Sequence, residues 1–380
     1  MRGGGYGGNL GPPNLGSPRK LFLLYKNIMK YFLSVVAIFK NEKDIISEWI
    51  EHYLAEGADH FYLIDNDSTD NYKSNVNRYV KENILDIVVD NQPHMQEAHY
   101  NSYYLDKVKR ESDWVMVVDL DEFIYGRGKY KTISSYLRTL PCNIAQIYVP
   151  WKIFGSNGII YQPHGCIDNY VTRTKYNHIK TNGMTSNDTI LTKTITKTVY
   201  LKRLSIHYSL INKQDNLKEI TSDGQIISQN VPNQQMISEE ILEKSALHCN
   251  HYPIQSFEWY RQIKMTRGSA TSTVNDKVRT ISYYNSFDSH GNQVTDSELS
   301  DKRNNLRAYY GVEQYVDVTR QLCKNFLDKS GKKISIGGNV QFNQYFGDPT
   351  PGKSKYLLIR CKHQLMVYPE TGHGQIEINL

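Results

Sequence analysis

The chain has no long apolar run. No stretch of its 380 residues approaches the roughly 20 consecutive apolar residues of a membrane-spanning helix. Leu21–Phe39 comes nearest, and Lys26, Asn27 and Lys30 interrupt it. An integral membrane span is therefore not expected, and Golgi-type II anchoring is disfavoured. Cysteine is scarce: five, at 142, 166, 249, 323 and 361, odd in number and with no pairing pattern. That argues for a reducing compartment and against a disulfide framework. The expected setting is cytoplasmic, in a host cytoplasm or a virion if the source is viral. No CxxC is present, so a closed zinc site lacks its usual ligands. Charge of neither sign forms a block: 45 Lys+Arg face 39 Asp+Glu, a net +6 spread along the chain. Such a balance suits small anionic ligands. Without basic-aromatic alternation, a nucleic-acid partner is not expected. There is no internal repeat.

What is present begins with residues 114–123, Trp-Val-Met-Val-Val-Asp-Leu-Asp-Glu-Phe. An apolar run ends in Asp119 and Asp121, with Glu122 beside them. Residues i and i+2 of a strand share a face, so the two aspartates are expected to meet one ligand at a strand's C-terminal end. Adjacent carboxylates repel unless a cation lies between them, and a divalent metal carrying a phosphate fits. The plainer reading is an Asp-rich turn in solvent. Glu122, facing the other way, reads as a supporting residue.

The surroundings favour the first reading. Tyr31–Phe39 is a continuous apolar run suited to a doubly covered parallel strand. Asn41 follows as a plausible N-cap for a helix carrying Ile45, Ile46, Trp49, Ile50, Tyr53 and Leu54, closed by Gly57. Strands at Phe61–Ile64 and Asp86–Val89, a helix with Met95, Ala98, Ser102 and Leu105, and the strand Trp114–Val118 complete a β-α-β-α-β-α-β series. That order predicts a parallel α/β sheet flanked by helices. Three strands end in polar loops, 40–42, 65–70 and 119–122, as a nucleotide crevice requires. Shorter strands are expected from about 144 to 210, and helices near 238–245 and 257–265. Residues 1–28 read as a flexible Gly/Pro-rich extension before Met29, 29–270 as the main domain, 271–302 as a polar linker and 303–380 as a small β module.

Further groups carry candidate chemistry. Asp65 and Asp67 lie in an acidic loop able to grip a ribose or base edge, or they form only a turn. Gln96, His99 and Asn101 lie before the fourth strand, or on a solvated helix face. Trp151, near Phe154 and a Gly-rich turn, offers a platform for a sugar ring or packs as an ordinary strand residue. His207 ends a basic stretch that includes Lys193. In Leu247-His-Cys-Asn-His-Tyr252 lie His248 and His251, and a single histidine is the economical completion of a metal site opened by Asp121. Arg261, Lys264 and Arg267 recur every third residue, as a diphosphate clamp or as solvated charge.

In order, these pieces resemble a GT-A glycosyltransferase, and more narrowly family 92 and related family-2-like transferases with a DxDEF motif. The matching pieces are Lys40-Asn-Glu42, Glu48-Trp49, Asp65–Asn71, Gln96 with Tyr100, Asp119–Phe123, Trp151 with Phe154–Gly158, Lys193, His207-Tyr208, Asn250–Tyr252 and Lys264–Gly268. The resemblance covers about residues 33–270. It implies a GT-A fold, a nucleotide-sugar donor such as UDP-galactose, UDP-glucose or UDP-GlcNAc, Mn²⁺ or Mg²⁺, and inverting hexosyl transfer to a glycan, protein or lipid. By similarity Asp121 would ligate the metal, Asp119 the metal or ribose, and His251 or His207 would complete the shell. Asp65 and Asp67 would bind uridine. Lys40, Asn41, Glu42, Gln96 and Lys193 would contribute to the donor site, and Lys264 and Arg267 would hold the diphosphate. Trp151 and Phe154 would face the acceptor, and Asp168, or else Asp188, would deprotonate it. Two rivals are an inactive carbohydrate-binding or structural protein and a sugar nucleotidyltransferase; the latter normally shows glycine after its first strand, where Lys40-Asn-Glu42 has none. Asp119 and Asp121 are too close to flank a bond as hydrolase carboxylates do. Abundant tyrosine, 29 residues, beside many Asn, Ile and Lys reads as the codon bias of an AT-rich genome.

Overall fold

A computed structural model describes residues 29–176, 189–227, 234–267, 279–303, 306–312, 314–328, 333–361 and 364–379. The first strands and helices follow the expected series: β1 (Tyr31–Phe39), α1 (Ile46–Ala55), β2 (His60–Asp65), α2 (Lys73–Lys81), β3 (Leu85–Val89), α3 (Gln96–Glu111) and β4 (Ser112–Val117). They pair in parallel in the spatial order β3-β2-β1-β4. The apolar run of β1 is buried along nearly its whole length because elements cover both faces of the sheet. Register places Phe39 beside Asp65, so β1 and β2 end level.

Beyond β4 the sheet turns mixed. The chain leaves β4 at Val117, turns through Asp119–Asp121 and returns as β5 (Glu122–Gly126). The long β6 (Ile144–Ile153), not the short strand expected there, lies antiparallel to β7 (Thr189–Lys197), which also pairs antiparallel with β4. β8 (Leu247–His251) runs antiparallel to β5 and parallel to β6, with His251 opposite both Glu122 and Ile153. That register carries a histidine to the acidic turn from over 120 residues away.

The expected linker is ordered over its described part. It holds α5 (Ile281–Gly291) and α6 (Glu298–Arg303), numbered after α4 (Phe257–Gln262), and Val294–Thr295 pairs with Thr172–Arg173. Its polar composition suggested solvent exposure, but the charges find buried partners. Lys152, wholly buried, donates to Asp296 (2.8 Å) and to the Tyr125 hydroxyl (2.9 Å). Arg173 joins Asp296 to Glu239. Gly155 N–H donates to Gly291 O at 2.9 Å, and a side chain at Gly155 would collide with Asn292.

The tail forms a four-stranded antiparallel sheet with its own core around Tyr310, Leu322, Phe342, Leu357 and Ile359. Buried Arg303 ties it to α1 through Glu48 and approaches Asp317 (3.8 Å). No described helix is long and apolar enough to cross a membrane.

Removing one partner of a buried ion pair strands the other charge. Asp296→Ala, which leaves Lys152 and Arg173 short of an acceptor, should lower stability by about 3–5 kcal/mol in urea unfolding. A loss below about 1 kcal/mol, the scale of an exposed pair, would show that Asp296 does not fasten this segment.

Candidate active site

The ends of β1 and β6, the turn after β4, the start of α3, residues Lys264–Arg267 and Arg279 with α5 line a cavity of about 730 Å³. Asp119 and Asp121 lie at its floor, in a turn and not on a strand as the i, i+2 argument assumed. They face different counter-charges. Lys193, buried in β7, donates to Asp119 Oδ2 (2.9 Å) and Ile206 O (2.9 Å), and lies 3.0 Å from Glu122 Oε2. Lys264 donates to Asp121 Oδ2 at 2.7 Å, and His251 Nε2 lies 3.7 Å from Asp121 Oδ1. Burial alone would raise the Asp121 carboxyl, but Lys264 and His251 hold it well below the usual range.

Helix α1 braces this turn from behind. Trp49, His52 and Tyr53, at i, i+3 and i+4, share one helix face. Trp49 Nε1 donates to Asp119 O (3.0 Å), Tyr53 OH to Glu122 O (3.0 Å), and the His52 ring meets Ile124 O (2.7 Å). On the other side Tyr252 N–H donates to Asp121 O at 2.8 Å.

Asp121, Glu122 and His251 offer ligand atoms within 4.8 Å of one another. Glu122 Oε1 and His251 Nδ1 are buried with no hydrogen-bond partner among the described residues. Two carboxylates and an imidazole form an O/N donor set suited to Mn²⁺, and the carboxylates to Mg²⁺. Lys264, Arg267 and Arg279 line the same cavity. Arg267 is fastened to Glu42 (2.6 Å) and to Lys40 O.

The chain belongs to glycosyltransferase family 92. The family model matches residues 30–289, which includes every cavity residue named above. Similar solved structures include Staphylococcus aureus TarS 1–349, at 15% identity over 44% of this chain and 48% of that one, TM-score 0.29. Its complex with UDP-GlcNAc gives 16%, 44%, 46% and 0.28. Apo GlyE from Streptococcus pneumoniae TIGR4 gives 17%, 31%, 29% and 0.21. The chain thus spans about half the length of the TarS structure. No curated protein matches it.

Within this family 92 site the residues singled out in sequence part company. Lys40, Glu42, Gln96, Asp119, Asp121, Trp151, His207, His251, Lys264 and Arg267 all line the cavity. Gln96 donates to Tyr100 OH (2.8 Å) and to Asp119 Oδ1 (3.3 Å). Asn41 is not an N-cap. Its backbone is left-handed (φ 55°), and its side chain accepts from Thr69 and Asp70 N–H, stitching the first loop to the second.

Asp65 serves that second loop. It is buried, accepting from Ser68 N–H (2.9 Å) and Tyr72 OH (2.8 Å), and does not line the cavity. Asp67 pairs with Lys40 at the exposed rim (2.8 Å), and their neighbour Asn66 lines the cavity instead. The metal-compatible cluster contains Glu122 where Asp119 and His207 were expected. Asp119 is taken by Lys193, and the His207 ring lies against Trp151 (5.3 Å). The other ring against Trp151 is His251, at 4.1 Å, so this indole packs both histidines.

Phe154 is wholly buried against Tyr252 and does not line the cavity. Asp168 accepts from Ser300 Oγ (2.7 Å) and lies 3.5 Å from Arg360, away from the cavity lining. His99 and Asn101 also lie off it. Asp188 lies outside the described residues. Sequence reasoning missed Arg279, Tyr283 and Phe287 because they fell in the supposed linker. No periodic signal marked them.

Burial and the neighbouring Asp119 and Asp121 push the Glu122 carboxyl up to about 8 despite Lys193, from an ordinary 4.5. Between those values the folded chain holds a proton that the unfolded chain has released, so this group lowers stability as pH rises. Glu122→Gln removes that contribution. Its stability relative to the unmodified protein should therefore improve from pH 5 to pH 8.5 in paired urea titrations; a constant difference would place Glu122 in the normal range.

Proposed function

We propose that the enzyme transfers a hexose from a UDP-sugar to a hydroxyl of a glycan, protein or lipid, inverting the anomeric centre and using Mn²⁺ or Mg²⁺. The observation that carries this reading is one cavity, at the C-terminal strand ends, lined by the acidic turn and by the cations Lys40, Lys264, Arg267 and Arg279. Its 730 Å³ lies within the size range of small-ligand sites. A nucleoside diphosphate needs both charges: cations for its phosphates and carboxylates for a bridging metal.

Asp121, His251 and Glu122 are the residues we assign to a divalent ion, which when bound acts as a Lewis acid toward the diphosphate. Lys264, Arg267 and Arg279 receive the negative charge that grows on the leaving diphosphate. Lys40, Glu42, Asn66 and Gln96 also line the cavity, and we assign the nucleoside to them, with Asp65, Asp67 and Asn41 shaping the loop behind. Lys193 sets Asp119.

In the reaction the acceptor oxygen forms the bond to the anomeric carbon. The bond to the diphosphate breaks with its electron pair leaving on oxygen, and a carboxylate takes the acceptor proton. Asp168 sits off the cavity, so we assign that base to Asp188.

A UDP-sugar should raise the melting temperature only with Mn²⁺ or Mg²⁺ present, since a ligand at 100 times its Kd adds about 2.7 kcal/mol. Asp121→Ala should abolish the shift. Absence of any metal-dependent shift across a nucleotide-sugar panel would sink the reading. Asp188→Asn should cut turnover at least about 100-fold, whereas Asp168→Asn should leave it near normal. The opposite ranking would return the base to Asp168.

A further inference from the structure

The two lysines at the acidic turn are not equivalent. Lys193 is wholly buried in β7, and its ammonium has three oxygen neighbours within 3.0 Å: Asp119 Oδ2, Ile206 O and Glu122 Oε2. An ammonium carries three N–H donors, and this one has an oxygen neighbour for each: two hydrogen bonds and an ion pair. Lys264 lies on the single 3-10 turn Lys264–Thr266 after α4 and borders the cavity. Its described hydrogen bond is the one to Asp121 Oδ2, with the Trp259 ring 5.6 Å away.

The same Asp121 carboxylate belongs to the cluster with Glu122 and His251 that fits a divalent ion. An ammonium 2.7 Å from Asp121 Oδ2 would crowd a cation placed on that carboxylate, and two positive centres at such range in a half-buried site repel strongly. Lys193 cannot yield without stranding buried acceptors. Lys264 can, because a lysine is a point charge on a flexible four-carbon stem, and the diphosphate expected in the cavity is an anion within its reach.

Resting on the metal-dependent reading above, we propose that Lys264 is an exchangeable counter-ion. It holds Asp121 in the free enzyme, releases it when the divalent ion enters and turns to the diphosphate that arrives with that ion. Lys193 stays in place throughout. One lysine thereby opposes metal binding alone and favours nucleotide binding, which couples the two ligands.

The test separates those signs. Mn²⁺ alone is titrated into the full chain with electron paramagnetic resonance of free Mn²⁺ as readout. UDP is then titrated at saturating Mn²⁺ by calorimetry. In Lys264→Met the Mn²⁺ Kd should fall about fivefold or more, and the UDP Kd should rise by a similar factor. Lys264→Arg, which keeps the charge, should stay near the unmodified protein for Mn²⁺. Should the methionine variant not fold, Lys264→Gln removes the charge while keeping a donor and must give the same opposed shifts. Unchanged or weaker Mn²⁺ binding in the uncharged variant, with the unmodified protein binding both ligands, overturns the exchange alone. An unmodified protein that binds neither ligand overturns the metal-dependent function together with it.

Discussion

Three carboxylates crowd the turn after β4, and the fold tolerates them because the Lys193 ammonium sits between two. Asp119 and Glu122 share a buried space, where burial and Asp119 push Glu122 toward its neutral form and Asp119 meets the cost of leaving water. Lys193 donates to Asp119 Oδ2 and Ile206 O from one point and lies 3.0 Å from Glu122 Oε2. The bond to Ile206 O fixes the loop whose next residue, His207, lines the cavity. The strand β7 that carries it is the one inserted antiparallel between β4 and β6. The mixed half of the sheet therefore exists, in part, to deliver one cation to the parallel half.

Backbone bracing matters as much as charge. An acidic turn held only by its side-chain pairs would shift whenever a counter-ion moved. Here its carbonyls are taken by Trp49 and Tyr53 on one side and by the Tyr252 amide on the other. The β5–β8 register sets His251 opposite Glu122. Side chains at Asp121 and Lys264 can thus exchange partners over a frame that does not. Helix α1 carries a second duty, since Glu48 one residue before Trp49 binds Arg303 at the edge of the tail module.

Much of this was legible in the sequence. Continuous apolar runs named β1, β2 and β4, because parallel strands covered on both faces leave no polar alternation. The order of polar strand ends located the crevice, and the DxDEF segment its floor. What was not legible arose from long-range pairing. Asp119 and Asp121 were read on a strand, but the strand stops at Val117 and the turn gives each its own cation. Asp65 and Asn41 looked like ligand contacts or caps, and in three dimensions they hold two loops to each other. Arg279, Tyr283 and Phe287 were hidden because a polar stretch looks the same whether its charges meet water or buried partners such as Lys152. Phe154 shows the converse: an aromatic beside a Gly-rich turn has no sequence mark of which way it faces.

The arrangement also separates permanent from replaceable charge. Around the turn the partner with three oxygen neighbours, Lys193, comes from a sheet strand, and the partner with one described hydrogen bond, Lys264, comes from a single helical turn at the cavity rim. Arg267 occupies an intermediate place. Burial pushes its partner Glu42 up to about 7 against the pull of that guanidinium, so the pair sits near the balance between desolvation and attraction. A site that must accept a strongly anionic ligand and later release it needs such gradation. Cations fixed as firmly as Lys193 could not follow the charge as it moves onto the leaving diphosphate, and cations held only by solvent would be screened before it arrived. Placing the fixed charge on the strand and the movable ones beyond α4 meets both demands with the same sheet.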